Sequence, residues 1–288
     1  MKPVLVLGDL TAEIVLRGLS GHPGPGREVF VSGARIEPGG TGARVAAALT
    51  RFGRKTAFVA KIGRDELGSL LLRRLKGILP LSGISRGSTP GTSLRVAFSE
   101  GDDASLVTYP GSTASLKPAD LRAVDWRRYS HFHLASPFQL LGLPLLPVLK
   151  KARAAGLTVS LSGSVDPRGR GDLAGLYPLL HLLLLTEAEI KAMGVTIPKL
   201  AEKVPLLVVR RGLRGAVAAT QGGVWKTLGP ALGPVFDAAF LDAWLDGHRV
   251  GESLSYASAA SSLAEERGDA LGATPTRAEA LHQAERRD

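Results

Sequence analysis

The chain has 288 residues, 44% of them hydrophobic and 22% charged, which is enough for one large core, or one main core with a small appendage. It contains no cysteine, so disulfides and thiolate metal sites are excluded. Its net charge of +10 would suit a polyanionic partner. However, no basic run exceeds Arg-Arg or Lys-Lys and no aromatic residues interleave, so nucleic-acid binding is disfavoured against a basic solvated surface, which would also help a small anionic ligand such as a nucleotide.

In chain order, PVLVLGD reads as a buried strand rather than part of a secretion signal. From Ala12 to Pro38, the alternating pieces EIVLRG and REVFVSGARIE are broken by GHPGPG and predict strands of a small, partly exposed sheet. GGTGARVAAALTRFG switches to helical spacing, with Val45, Ala48, Leu49 and Phe52 on one face and Gly53 as the stop. KTAFVAKIG is a strand, and DELGSLLLRRLKG a helix that Asp65 can cap. TSLRVAFSEGDDASLVTYPG alternates on both sides of Glu100–Asp103 and predicts a hairpin, with the Asp102-Asp103 pair serving turn chemistry rather than a metal.

Beyond Pro118 strands and helices alternate strictly. SHFHLAS, LTVSLSGS, LLLLT and PLLVVRRG read as strands; PLLPVLKKARAAG, DLAGLYPLLH and EAEIKAMG read as helices. AVAATQGGVWKTL is a second hairpin, and the remainder, from ALGPVFDAAFLDAWLDG through GESLSYASAASSLAEERG to TRAEALHQAERR, is helical. The longest apolar run, around LYPLLHLLLLT, is too short to span a bilayer and contains His181, so a cytoplasmic protein is expected. The pattern predicts an α/β fold: a mostly parallel sheet covered by helices on both faces, with the early strands and first hairpin in a separate small sheet. Ligands of such folds sit outside the carboxyl ends of the strands.

Two histidines, His131 and His133, share one strand face. With no third ligand evident, packing or hydrogen bonding is preferred to a metal site. Asp166-Pro167 follows a strand end near where a nucleotide could lie. No G-x-S-x-G, Walker A or H-E-x-x-H motif is present.

The order of these pieces resembles the ribokinase/PfkB family of carbohydrate kinases. Its most specific block is Gly39–Leu72, GGTGARVAAALTRFGRKTAFVAKIGRDELGSLLL. TYPGSTASLKPADL, TEAEIKAMG, VVRRGLRGAV and FDAAFLDAW follow in family order. The resemblance implies one ribokinase-like (Rossmann-like) domain over 1–288, lid strands inserted at approximately 12–38 and 92–110, and a homodimer through the lid as in several relatives. It implies transfer of the γ-phosphoryl of ATP, with Mg²⁺, to a hydroxyl of a sugar. Such catalysis rests on positioning and charge stabilisation.

The implied site residues depart from the family in a consistent way. Glu13 stands for a sugar-binding Asp, and Gly39 and Gly40 are kept. Arg44 replaces an Asn, which would favour a sugar acid. Thr186 replaces the Asn of a magnesium-linked NxxE block whose Glu189 remains, able to act through water. Arg210 and Gly212 lie where the nucleotide phosphates are expected, and Ser258 replaces an adenine-pocket Asn. Ala231, Leu232, Gly233 and Pro234 fall on the GAGD turn, whose amides hold the developing charge and whose Asp is the base. Proline offers neither a proton acceptor nor an N–H. Loss of a general base costs roughly 10²–10⁴ in rate. Asp237, three residues on, is the candidate displaced base, or alternatively a structural residue near the helix start. Two functions follow: a kinase with a displaced base, or a non-catalytic descendant that binds a small ligand or protein partner.

Overall fold

The computed structural model describes residues 3–19, 21, 24–100, 103–163, 173–268 and 271–286. An interior strand of its large sheet, β1 (Val4–Leu7), is buried along its whole length. Val4 and Val6 face one apolar cluster, and Leu5 and Leu7 the other, as the two-residue period of a strand requires. On one side β1 pairs with β4 (Thr56–Gly63), which pairs in turn with β5 (Ile84–Gly87). On the other lie β8 (His131–Ala135), β9 (Thr158–Ser162), β10 (Leu182–Thr186) and β11 (Leu207–Arg210), all parallel. The hairpin β12 (Ala216–Thr220) and β13 (Gly223–Thr227) adds two antiparallel strands at that edge.

A separate sheet holds β2 (Thr11–Arg17), β3 (Gly33–Gly39), β6 (Leu94–Glu100) and β7 (Asp103–Tyr109), in the order β3–β2–β6–β7. The tip of the β6–β7 hairpin, including the Asp102 turn, lies outside the described residues, as does Asp166-Pro167.

The helices are α1 (Thr41–Arg51), α2 (Glu66–Leu75), α3 (Gly111–Ala114), α4 (Leu145–Ala154), α5 (Glu187–Ala192), α6 (Ile197–Ala201), α7 (Gly233–Leu245), α8 (Val250–Glu266) and α9 (Arg277–Glu285). Gly53, at φ +86°, ends the α1 region, and Asp65 caps α2 by accepting the Gly68 N–H. Every residue of α7 from Val235 to Ala243 is buried, and the helix packs against α1 and α8. A helix that is apolar on nearly all sides belongs inside a core.

Three local expectations change. The expected strand from Arg27 begins only at Gly33; before it, Arg27 donates to the Gly24 carbonyl in a turn and Phe30 is exposed. The helix expected near Leu176 is a 3₁₀ segment, Ala174–Leu179, with Pro178 inside it. Proline removes the N–H that an α-helix would need there. The short elements β5, α3 and α6 carry too few residues for a periodic signal.

The two histidines form a polar ladder between β8 and β9. His131 Nδ1 lies 2.7 Å from Thr158 Oγ1, and its Nε2 lies 2.7 Å from Ser160 Oγ. His133 continues it, with Nδ1 2.7 Å from Ser160 Oγ and Nε2 3.1 Å from Ser162 Oγ. Thr158 Oγ1 also lies 3.3 Å from the Ser130 carbonyl, and when it donates there it accepts from His131 Nδ1–H. Each hydroxyl has one proton, so that arrangement runs through the whole ladder and makes both imidazoles Nδ1–H tautomers.

Burial holds both rings neutral, pushing His133 down to about 3 and His131 well below the ordinary value. His133, His181 and Arg54 add repulsion at His131. Above pH ~6.5 neither the folded nor the unfolded state binds the extra proton, and stability is complete. As pH falls below that value the unfolded chain takes up protons that the folded chain refuses. Stability then drops by ~1.4 kcal/mol per pH unit per histidine. Urea unfolding followed from neutral pH down to pH ~4 should therefore show His133→Gln shallower than the parent by close to one proton. Parallel profiles would show that the ladder titrates normally.

Candidate functional site

The parallel strands present their carboxyl ends at one edge of the large sheet, beneath the small sheet. Asp9, just beyond β1, is fully buried; its Oδ1 accepts the Gly42 N–H at 2.9 Å, while Oδ2 has no hydrogen-bond partner among the described residues. Glu13, on β2, is buried beside it, and Arg44, from the first turns of α1, places Nη2 3.0 Å from Glu13 Oε2. Glu37 Oε1 is 3.8 Å from the same nitrogen and is also paired with Arg35. From β6, Arg95 reaches to 3.8 Å of Asp9 Oδ2 and 3.9 Å of Glu13 Oε1.

The glycine pair fits this crowding. A Cβ on Gly39 would stand 2.2 Å from Glu13 Oε2, and one on Gly40, at φ +100°, 2.7 Å from the Asp9 carbonyl. Gly39, Gly40, Glu13 and Arg44 are thus brought together as anticipated. Arg44, however, is already matched by carboxylates of the chain, which removes the argument that it calls for an acidic ligand.

The turn into α7 is built from spent donors. The Ala231 N–H donates to the Gly212 carbonyl at 3.0 Å, and the Leu232 N–H to Ser261 Oγ at 2.8 Å. Ser261 returns its own proton to the Leu232 carbonyl. Gly233 adopts φ +60° and Pro234 follows in the first helical turn, where its fixed φ is tolerated. Ala231, Leu232 and Pro234 therefore leave an incoming anion fewer N–H groups than a helix start ordinarily offers.

Beside the turn, four of the singled-out residues, Thr186, Glu189, Arg210 and Asp237, converge. Thr186 and Glu189 form a capping box on α5: Glu189 Oε2 accepts from the Thr186 N–H at 2.6 Å and hydroxyl at 2.8 Å, and Thr186 Oγ1 accepts the Glu189 N–H. Burial raises the Glu189 carboxyl above the ordinary range, with Arg210 opposing and Asp237 adding to the rise. Its Oε1 carries no hydrogen bond among the described residues, so this arrangement fits a water-mediated hold on a metal. Arg210, at the end of β11, places Nε 2.9 Å from Asp237 Oδ1.

Asp237 is fully buried. Neither of its oxygens has a hydrogen bond of acceptable geometry among the described residues, so the Arg210 contact is an ion pair without a well-aligned hydrogen bond. Burial pushes its carboxyl up, and Arg210 draws it back down. No acidic residue occupies the first turn of α7; Asp237 lies beyond it and faces inward rather than serving the helix terminus. Ser258, on α8, donates to the Leu228 carbonyl at 3.4 Å, closing α8 against the segment after β13. His181 accepts the Val159 N–H through Nδ1 at 2.9 Å.

Asp9, Arg95 and Ser261 escape a reading of the sequence by pattern. Asp9 looks like an ordinary turn residue after a strand. Arg95 interrupts an otherwise apolar strand, SLRVAF, which was a visible signal. Ser261 lies in a helix rich in small residues, where nothing distinguishes it.

The family model for "pfkB family carbohydrate kinase" matches residues 1–277. The chain is 25% identical over 201 residues to "Probable fructokinase-5" of Arabidopsis thaliana, covering 62% of this chain and 62% of that protein. It is thus matched along less than two thirds of that relative's length. The solved structure of a ribokinase from Giardia lamblia superposes with a TM-score of 0.84 at 18% identity, covering 98% of this chain and 99% of that one. That of Arabidopsis thaliana ribokinase, complexed with ribose and ATP, gives a TM-score of 0.78 at 21% identity, covering 98% of both. The nine-stranded sheet, the four-stranded sheet above it and the extent of the family match lead to one conclusion: the chain belongs to the pfkB family of carbohydrate kinases.

Proposed function

We propose that this chain transfers a phosphoryl group from a nucleoside triphosphate to a hydroxyl of a neutral, sugar-like ligand, without a side-chain base at position 234. The observation that carries this reading is the gathering of two sets of groups at one edge of the large sheet. A polar pocket stands over Gly39 and Gly40, and Arg210 and Glu189 flank the start of α7. The Arabidopsis ribokinase, solved with ribose and ATP, is in keeping with a sugar-like and a nucleotide ligand.

The pocket's own charges argue for a neutral ligand. Asp9, Glu13 and Glu37 face Arg35, Arg44 and Arg95, three carboxylates against three guanidiniums. Asp9 Oδ2 is a buried acceptor with no hydrogen-bond donor among the described residues, and a ligand hydroxyl would supply one. On the nucleotide side, the charge of Arg210 is balanced by Asp237, so Mg²⁺ bound with the triphosphate would be what neutralises charge as it develops. Glu189 Oε1 is the oxygen able to hold a water of that ion.

The weak point is proton removal. Pro234 accepts no proton, and Asp237 is sealed behind Arg210 and the helix, out of reach of a substrate hydroxyl in this conformation. Turnover without a positioned base should lie roughly 10²–10⁴ below that of the same site with one. A second reading, ligand binding without turnover, is favoured by the engaged amides of Ala231 and Leu232.

Phosphotransfer assayed over neutral sugars, sugar acids and nucleosides separates the two readings. Slow turnover on a neutral polyol, raised about 10²–10⁴-fold by Pro234→Asp, is the expected result. No turnover in either form, with melting temperature raised by ligand, would establish the binding-only reading.

Asp237→Asn should leave the parent's residual turnover within about threefold, as expected of a group that never meets substrate. Loss of turnover in a variant with intact circular dichroism would instead make Asp237 the base. Asp237→Leu alone should cost ~3 kcal/mol in urea unfolding, because Arg210 is left half-desolvated. Most of that should return in the Arg210→Leu/Asp237→Leu double variant.

A further inference from the structure

A row of polar side chains crosses the small sheet. Glu13 on β2 stands opposite Glu37 on β3 and opposite Arg95 on β6, and Arg95 in turn stands opposite Thr108 on β7. Residues in register on adjacent strands share a face. This face is the one that meets Asp9 and Arg44. Two of its acids are already engaged: Glu13 Oε2 accepts from Arg44 Nη2 at 3.0 Å, and Glu37 is shared between Arg35 and Arg44.

Arg95 is the member with donors to spare. Its Nε donates to Thr108 Oγ1 at 3.3 Å, which anchors the guanidinium plane. Nη1 stands 3.9 Å from Glu13 Oε1, and Nη2 stands 3.8 Å from Asp9 Oδ2, both beyond hydrogen-bond reach. Neither Nη1, Nη2 nor Glu13 Oε1 makes a hydrogen bond among the described residues, and none of the three is sealed from solvent. The Arg95 side chain keeps 14% of its surface exposed, whereas Asp9 keeps none and balances the charge of the fork from beneath.

A polar gap of such a width calls for a bridging oxygen. A hydroxyl satisfies both sides of the gap at Glu13, accepting from Nη1–H and donating to Oε1. A carboxylate would meet the arginine but has no proton for Glu13. The planar fork holds Nη2–H alongside, aimed at an oxygen adjacent to the first.

We infer, resting on the reading of this pocket as a sugar site, that Arg95 is the specificity-determining residue of the proposed transfer and that it selects a vicinal diol. Thr108 is a positioning residue that acts through the arginine.

Calorimetric titration of the full chain tests this with D-ribose and D-fructose, their analogues 2-deoxy-D-ribose and 3-deoxy-D-fructose, and D-ribonate as the acid. At least one of the two sugars should bind, at least ~10-fold more tightly than its deoxy analogue and than the acid. Arg95→Lys keeps a positive charge between Asp9 and Glu13 but loses the fork. It should weaken sugar binding about 10-fold and bring sugar and deoxy analogue within about twofold, with circular dichroism unchanged. Thr108→Val, at an exposed position, releases the guanidinium and should narrow the same preference about threefold. An arginine with a purely structural role would change stability and leave that ratio untouched. If Arg95→Lys does not fold, the parent's ratio and Thr108→Val decide. Sugar bound with the parent's ratio intact in the folded variants, or ribonate bound as tightly as ribose, overturns the role of Arg95 and leaves the sugar site standing. Binding of neither sugar overturns both.

Discussion

Because residues Val235–Ala243 of α7 are buried without a break, that helix cannot rotate or slide without opening the core on both its sides. Its two ends are therefore fixed relative to the two edges of the sheet. The Gly233-Pro234 turn stands at the edge where the parallel strands end. Asp242 and Asp246 stand at the edge where they begin, tied by Arg54 to the end of α1 and by Arg277 to α9. The turn is thus held by a frame built from the large sheet and its helices. That frame accommodates a proline at such a point with no loss of architecture: the helix start requires the right φ, and proline supplies it.

Most of the large sheet could be read from sequence because its strands are either uniformly apolar, as in Leu182–Leu185, or set between helices with clear stops such as Gly53. The small sheet was harder to read. Its strands are exposed on one face, and a segment such as Arg27–Val31 has strand-forming residues without a neighbour to pair with; pairing is a tertiary fact that local propensity does not contain. Pro178 is the converse case, a single residue that overrides the apolar periodicity around it.

The candidate site was legible as a set of positions and much less so as chemistry. Glu13, Arg44, Glu189 and Arg210 could each be located by order along the chain. What each does depends on a partner distant in sequence: Glu13 on Arg44, the Leu232 amide on Ser261, Asp237 on Arg210. An unpaired arginine and a paired one look identical in a sequence, yet they call for opposite ligands. The inward turn of Asp237 likewise follows from the rotation of α7 about its axis, which the number of residues after Pro234 does not determine alone.

The chain of hydroxyls and imidazoles between β8 and β9 has a direction. Since every member gives to one neighbour and takes from the other, no single link can be inverted alone. Replacing Ser160 with alanine would strand a nitrogen on each ring at once, so these five side chains constitute one indivisible unit whose parts can be exchanged only in concert. A pair of strands in the middle of an apolar core thereby acquires polarity along its length, which limits the substitutions this part of the interior can accept.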